Sequence, residues 1–458
     1  MKNTFTTIAF ITLMASTARA QDVAGDWQGT LKAGAIELRL ILHVTGDAGG
    51  FKATLDSLDQ GAKGLPVTTV SRSGSSVKLE LKQVGATFDG QVDAALTAIT
   101  GTWTQGGPAL PLVFARVKDP AQLELKRPQN PVKPYPYREE EVAYDNKTAS
   151  LTLAATLTLP PGQGPFPAVV LITGSGPQDR DESLMGHRPF LVLADYLTRH
   201  GIAVLRADDR GVGKSGGNFA AATTPDFATD AEAGIAYLRS RVEVDRRRIG
   251  LVGHSEGGII APMVAARNPD VRFIVLMAGS GVPGDDIVVS QSVLIAEASG
   301  VAREQAEKNG SDLRDILALV KQEKDDRLLN AKLREKLADK VLPAQLGMQI
   351  QALTAPWYRY FISYDPAAAL ARVSCPVLAI GGDKDLQVPA RQNLAAIRNA
   401  LAAGGNKNVE IDELPGLNHL FQTARTGAPG EYGQIEETIS PVALERIARW
   451  ISKQAGRD

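Results

Sequence analysis

From residue 21 to about residue 117 the chain alternates apolar and polar positions with period two, as in Ile36-Glu-Leu-Arg-Leu-Ile-Leu, Val77-Lys-Leu-Glu-Leu, Phe88-Asp-Gly-Gln-Val and Leu110-Pro-Leu-Val-Phe. Gly and Asp punctuate these runs about every ten residues and long helical periods are absent, which predicts a small antiparallel β sandwich or barrel. Trp27 and Trp103 sit in two similar strand starts, Gly-Asp-Trp-Gln-Gly-Thr and Gly-Thr-Trp-Thr-Gln-Gly. In a small β domain a Trp is usually the largest core residue, so both are expected inside. Residues 118–138 lose the period and hold Pro120, Pro128, Pro131, Pro134 and Pro136. They read as a semi-rigid linker and a domain boundary.

From residue 139 the pattern changes. Glu141-Val-Ala-Tyr and Leu151-Thr-Leu-Ala-Ala-Thr-Leu-Thr-Leu predict an antiparallel pair. Continuous apolar runs follow at Ala168–Thr173, Ile202–Arg206, Ile249–Val252, Phe273–Met277 and Val377–Ile380, separated in most places by helix-like segments such as Phe190–Arg199 and Phe227–Val242. Unbroken apolar strands alternating with helices predict a mostly parallel sheet covered on both faces. Chemistry in such sheets sits at the carboxyl ends of the strands. Between Phe273 and Val377 lies far more chain than one crossover needs. The interval reads as helices, Ile287–Ala298, Ala302–Lys308, Asp312–Lys324, Leu328–Lys340 and Gln345–Phe361, and is expected to form a cap over about 284–365. Trp357, Tyr360, Phe361 and Tyr364 fall at helical spacing and predict one aromatic face, core or pocket-lining.

Composition narrows the class without naming it. The 458 residues suggest two or three domains, and 44% hydrophobic with 22% charged residues is ordinary globular content. Residues 1–20 carry Lys2, an apolar core from Ile8 to Met14 and an Ala18-Arg19-Ala20 end, the layout of a secretory signal peptide cleaved before Gln21. Its core is too short to anchor in a bilayer, and no later segment reaches a spanning length, so export to a periplasmic or extracellular space is expected. Without Lys2 and Arg19 the chain holds 48 basic and 51 acidic residues, a balance that does not invite nucleic acid. The lone Cys375 has no internal disulfide partner, and no His, Cys and acid cluster has metal-ligand spacing. No cofactor or metal is implied. The expected partner is a small-molecule substrate, with a homo-oligomer left open.

The chemistry-bearing stretch is Arg248-Ile-Gly-Leu-Val-Gly-His-Ser-Glu-Gly-Gly258. An apolar run meets a Gly253-His-Ser-Glu-Gly257 turn and then a small-residue helix through Asn268, the strand, sharp turn and helix of a nucleophile elbow. A serine nucleophile needs a base and a carboxylate that orients the base, arriving in chain order serine, acid, histidine. Of the five histidines, His43 lies in the β domain, His187 and His200 precede the elbow, and His254 is held beside Ser255 with its side chain directed elsewhere. His419, in Leu414-Pro-Gly-Leu-Asn-His, is the base by elimination. Asp383 and Asp385 compete for the acid in Gly381-Gly-Asp-Lys-Asp-Leu-Gln-Val-Pro389; Asp385, at the outer bend, is favoured, and Asp383 is expected to hold the loop locally. Two N–H groups must face the oxyanion. The expected donors are the amides of Glu256, directly after Ser255, and of Ser175, in Thr173-Gly-Ser-Gly-Pro177. Gly211-Val-Gly-Lys-Ser only looks like a phosphate loop, because Asp208 stands where that pattern needs Gly. Arg210 and the acids around it are expected to tie their strand-end loop to Asp179-Arg180-Asp181.

Taken together, Gly174-Ser-Gly-Pro-Gln-Asp-Arg-Asp, Asp208-Asp-Arg-Gly-Val-Gly-Lys-Ser, Gly253-His-Ser-Glu-Gly, Asp385-Leu-Gln-Val-Pro and Leu417-Asn-His make residues 139–458 resemble the α/β-hydrolase superfamily, and within it the exported two-domain carboxylesterases akin to serine aminopeptidases and acyl-peptide hydrolases. The resemblance implies a Ser255, Asp385, His419 triad and short-chain acyl esters as substrates, with a peptidase releasing N-terminal residues as the alternative and a non-catalytic binding protein as a remote one. Many relatives have His where Thr173 stands, which removes a hydrogen bond expected to hold the oxyanion loop.

Overall fold

The computed structural model describes residues 23–33, 36–47, 50–119, 126–341 and 343–456, so residues 1–20, expected to be a signal peptide, lie outside the described residues. The chain divides into two compact units whose main boundary falls between residues 124 and 125.

The first unit is one nine-stranded antiparallel sheet. Its strands are β1 (Gly25–Ala33), β2 (Ile36–Asp47), β3 (Gly50–Ser57), β4 (Ala62–Val67), β5 (Thr69–Ser73), β6 (Ser76–Leu81), β7 (Ala86–Val92), β8 (Ala98–Gln105) and β9 (Leu110–Arg116), in the order β4-β3-β2-β1-β9-β8-β7-β6-β5. The two edge strands are consecutive in the chain, so the sheet curls towards itself as a barrel-like body. Alternation carries through into packing: in β7 every second residue from Ala86 to Val92 is buried. Trp27 and Trp103 are both core residues, and the Trp27 indole N–H donates to Val23 O at 2.9 Å.

The second unit is the expected α/β-hydrolase architecture. Strands β10 (Arg138–Asn146) and β11 (Leu151–Leu159) pair antiparallel along their whole length. They lead into β12 (Phe166–Ile172), β13 (Ala203–Ala207), β14 (Val244–His254), β15 (Phe273–Met277), β16 (Val377–Gly382) and β17 (Val409–Leu414), giving the sheet order β10-β11-β13-β12-β14-β15-β16-β17. From β13 to β17 every neighbouring pair is parallel. Helices α1 (Pro189–Arg199), α2 (Thr224–Ser240) and α3 (Gly257–Ala265) follow β12, β13 and β14. Two buried apolar clusters, one around Val170, Leu251 and Ile274 and one around Val169, Val252 and Phe273, cover the two faces. Each central strand feeds both clusters from alternate residues, which is why its sequence is apolar without interruption.

Among the described residues five helices form the expected cap in the interval between β15 and β16: α4 (Gly284–Ala298), α5 (Arg303–Gln322), α6 (Asp326–Leu337), α7 (Pro343–Thr354) and α8 (Pro356–Ser363). Their own core includes Leu317, Val320, Leu329, Leu333 and Ile350. Two boundaries differ from expectation. Asn309-Gly310-Ser311 does not end a helix; a Cβ on Gly310 would sit 2.5 Å from Val293 Cγ2, so the glycine lets α5 lie close against α4 and the helix runs on. Conversely the last expected helix is broken at Thr354-Ala-Pro356, where Pro takes the first position of a new helix. The remaining helices, α9 (Ala367–Leu370), α10 (Ala390–Ala403) and α11 (Pro441–Gln454), complete the layers around β16 and β17.

Residues 126–137, expected to act as a linker, are bound to the second unit instead of spanning free. Arg127 donates to Met185 O at 2.7 Å and Gly433 O at 3.0 Å, Gln129 donates to Ile439 O at 2.7 Å, and the Tyr137 hydroxyl donates to Asp195 at 2.9 Å.

Candidate active site

The turn after β14 is as tight as its glycines require. A Cβ on Gly253 would lie 2.0 Å from Gly257 O, and one on Gly257 would lie 2.1 Å from Ile172 O, so neither position admits another residue without moving backbone. Ser255 between them holds φ at +53°, a left-handed conformation that costs a non-glycine residue about 1–2 kcal/mol. Its amide is fixed to Met277 O at 2.8 Å on the neighbouring strand. The strained turn lifts the hydroxyl into a cleft of about 800 Å³ that His419 also lines. Ser255 Oγ makes no hydrogen bond to another described residue.

Asp385 and His419 meet directly, with Asp385 Oδ2 2.8 Å from His419 Nδ1. The other carboxylate oxygen accepts the amides of Gln387 and Val388, both at 2.8 Å, so the acid is locked by its own loop. Asp383 takes the local part expected of it: Oδ1 accepts the Gly416 amide at 2.6 Å and holds the loop after β17 against the loop after β16. The first of these aspartates positions the loop that carries the histidine; the second touches the histidine itself.

The loop after β12, expected to carry one oxyanion donor, is held through Thr173. Thr173 Oγ1 donates to Asp209 Oδ1 at 2.8 Å, and the Gln178 amide donates to Asp209 Oδ2 at 2.9 Å. Burial pushes the Asp209 carboxyl up to about 7 against the pull of these two donors. The Gly174 amide is spent on Glu182 Oε1 at 2.7 Å. The amides of Ser175 and Glu256 make no hydrogen bond among the described residues, and both residues line the cleft beside Ser255.

Two residues with no assigned role complete the support. His254 is fully enclosed, with Nδ1 2.9 Å from Glu182 Oε1 and Nε2 3.0 Å from His419 O, and its ring centroid is 4.9 Å from that of His419. Both partners are acceptors, so both ring nitrogens must carry protons and the ring is an imidazolium. Burial is the largest influence and would lower its pKa, but the Glu182 carboxylate, the His419 carbonyl and the Asp385 charge together raise it. His254 therefore grips the backbone of the candidate base from behind, while Glu182 grips the oxyanion loop. In the sequence, the only trace of this was a histidine beside the serine and an acid following Asp179-Arg180-Asp181.

One expectation about Arg210 fails. Its guanidinium reaches α2, donating to Asp230 Oδ2 at 2.7 Å and Asp226 O at 2.6 Å, whereas Asp208 takes Arg180 at 2.8 Å and so makes the tie to the 179–181 loop. Helix α2 starts next to that loop and offers acids one turn apart, which the linear spacing did not reveal.

With that geometry in hand, comparison with known proteins is informative. A family model described as X-Pro dipeptidyl-peptidase (S15 family) matches residues 150–411, more than half of the chain. The chain belongs to this family. Esterase EstD of Thermotoga maritima is 27% identical over 329 residues, covering 70% of this chain and 69% of that protein. An uncharacterized 31.7 kDa protein of Escherichia coli is 25% identical over 259 residues, 55% of this chain and 84% of that one. Among solved structures, an esterase of Pyrococcus furiosus covers 73% of this chain and 98% of its own at 15% identity and a TM-score of 0.44.

In this S15 family member the cap builds much of the cleft wall. Ile287, Val288, Ile295, Leu313, Leu353 and Phe361 supply apolar surface, and Gln291, Ser292 and Gln349 add neutral polar groups. The expected single aromatic face of α8 is two stacked pairs: Trp357 with Phe361 at 5.4 Å, which line the cleft, and Tyr360 with Tyr364 at 5.6 Å, which do not. Tyr358, given no role in the sequence, joins the lining. The carboxylates among the lining residues are Glu182 and Glu256, and both are already engaged: Glu182 with Gly174 and His254, Glu256 with Thr224 Oγ1 at 2.7 Å and Trp357 Nε1 at 2.8 Å. Among the described residues no helix is long and apolar enough to cross a membrane, and no group of three His, Cys, Asp or Glu is arranged to hold a metal.

Proposed function

We propose that the protein is a serine carboxylesterase for uncharged acyl esters, exported from the cell that makes it. Ser255 Oγ attacks the ester carbonyl as its proton passes to His419 Nε2, Asp385 holds the resulting imidazolium, and the Ser175 and Glu256 amides take the oxyanion. The alcohol leaves with the proton from His419, and water then attacks the acyl-enzyme by the same route in reverse.

The observation that carries the choice of ester over peptide is that the carboxylates among the cleft-lining residues are buried and already engaged. A peptidase that releases N-terminal residues must hold a substrate ammonium, and the two lining carboxylates, Glu182 and Glu256, are both turned to interior donors. An ammonium entering an apolar wall without a counter-charge forfeits its hydration with no return. The cleft volume, about 800 Å³, lies high in the usual 300–1,000 Å³ range of small-molecule sites. Short acyl chains enter it with room to spare, and the cap wall offers apolar contact to bulkier ones. The family match and its description keep a second reading in play, cleavage of an Xaa-Pro amide bond by the same serine.

A panel run side by side separates the two. The purified protein is expected to hydrolyse p-nitrophenyl acetate and butyrate, to leave an Xaa-Pro p-nitroanilide essentially intact, and to lose the ester activity in Ser255→Ala. Turnover of the anilide at a rate matching the esters would transfer the assignment to the peptidase reading.

A further inference from the structure

Glu256 is a carboxylate in an unusual setting. It is 2% exposed, and its hydrogen-bond partners are neutral: the Thr224 hydroxyl at the start of α2 at 2.7 Å and the Trp357 indole N–H on cap helix α8 at 2.8 Å. A buried carboxylate without a cation is costly, and burial pushes this one up in pKa against the pull of its donors. Both donors converge on one oxygen, Oε1, so loss of that acceptor breaks both ties at once.

The two donors come from separate pieces of the fold and meet at a residue on the oxyanion hole. The amide of Glu256 is one of its two N–H groups, and the amide of Ser175 is the other. We propose that Glu256 is a positioning residue whose side chain draws the start of α2 and the cap onto the nucleophile turn, so that docking of the cap sets the geometry in which the oxyanion is bound. The proposal rests on the serine-hydrolase reading of Ser255. The Trp357 ring is itself a cleft wall, so a substrate lying against it bears on the group whose N–H anchors Glu256. A second tie lies across the cleft: Gln291 of α4 donates to Gln387 Oε1 at 3.3 Å, and the Gln387 amide is one of the two that hold Asp385. The cap thus grips both the nucleophile turn and the acid loop.

The test uses variants on different sides of the carboxylate. Thr224 is 1% exposed and does not line the cleft, so Thr224→Val removes one donor without touching substrate. Thr224→Ser restores the hydroxyl. Glu256→Leu and Trp357→Phe remove the acceptor and the cap donor. Losing an oxyanion donor outright costs about 10²–10³ in kcat, and displacing one costs less, so Thr224→Val and Glu256→Leu are expected to lower kcat on p-nitrophenyl butyrate by roughly ten- to a hundredfold with KM within about threefold. Affinity for phenylboronic acid, whose tetrahedral adduct occupies the oxyanion position, falls by a similar factor, and Thr224→Ser recovers both. Trp357→Phe is expected to follow in kcat while also shifting KM, because its ring touches substrate. The rate of labelling by a fluorophosphonate is measured on every protein, since it reports Ser255 and the oxyanion hole whatever the preferred ester. A wild type that labels but hydrolyses no ester sinks the esterase assignment and leaves the clamp to be judged on labelling rates. Folded variants whose kcat, boronate affinity and labelling rate all stay within about twofold of wild type, even with a lowered melting temperature, overturn the clamp, because a merely structural carboxylate gives that pattern.

Discussion

Replacing Glu182 by Gln keeps the side chain's shape and removes one charge from the interior. In the wild type Glu182 Oε1 accepts from the Gly174 amide at 2.7 Å and from His254 at 2.9 Å, and the far side of the His254 ring holds His419 O at 3.0 Å. The amide oxygen of the variant can still accept from Gly174, but the imidazolium loses its counter-charge. It must stay charged and unpaired or give up a proton, in which case one ring nitrogen turns a lone pair towards an acceptor. Breaking a buried ion pair by removing one partner costs roughly 3–5 kcal/mol. At about 2 °C per kcal/mol for a unit of this size, the melting temperature is expected to fall by about 6–10 °C. The sign of the pH dependence follows from the raised pKa of His254. Its stabilising contribution is fully present below the unfolded value of about 6.5 and is lost as pH rises through the folded value, so the deficit of Glu182→Gln is largest at about pH 6 and shrinks towards about pH 9. Thermal melts of both proteins followed by circular dichroism across that range check it, with kcat expected to fall because the backbone of His419 loses its support. A deficit that stayed level or grew with pH would refute the imidazolium, and with it the account of how the candidate base is held.

Two further substitutions probe the turn and the acid. Gly257→Ala would place a Cβ 2.1 Å from Ile172 O, so it is expected to abolish activity and fluorophosphonate labelling, with a lowered melting temperature marking displaced backbone; full labelling in that variant would mean the turn is looser than its geometry implies. Asp385→Asn is expected to lower kcat by about 10³–10⁴ by presenting the wrong hydrogen-bonding partner to His419 Nδ1, while Asp383→Ala, which removes only the bond to the Gly416 amide, is expected to cost about 1 kcal/mol of stability and less than tenfold in kcat. Steady-state kinetics and melts on the pair distinguish the two aspartates, and equal losses would undo the assignment.

What the sequence made legible follows from how local each signal is. The β12–β16 strands could be read because burial on both faces leaves a continuous apolar run, and the elbow because a turn that brings Gly257 O within 2.0 Å of a Cβ on residue 253 tolerates only glycine. Asp385 could be separated from Asp383 because loop position governs which of the two reaches the imidazole: Asp385 is buried against His419 and Asp383 is exposed. Hidden were the contacts made across elements. His254 was set aside because its neighbour along the chain is Ser255, yet its working partners, Glu182 and the His419 carbonyl, come from two other loops. Arg210 was assigned to the wrong loop for the same reason: charge complementarity along the chain does not say which acid lies nearby in space. In the cap, local signals themselves misled. Gly310 signals a break in isolation and a close helix crossing in context, and only the position of Val293 decides between them.

Those hidden contacts share one feature that bears on how such a site is built. Ser255, Asp385 and His419 stand on three loops of one sheet, and two of the surrounding loops are held by side chains outside this trio: the histidine loop by His254 and Asp383, the loop after β12 by Glu182. The cap then adds Trp357 and Gln291 from a separately packed helical body. A cap joined to the sheet at the nucleophile and at the acid loop cannot shift far without disturbing the groups that react. Substitutions in its cleft wall are therefore expected to change turnover as well as selectivity, which a cap acting only as a cover would not do.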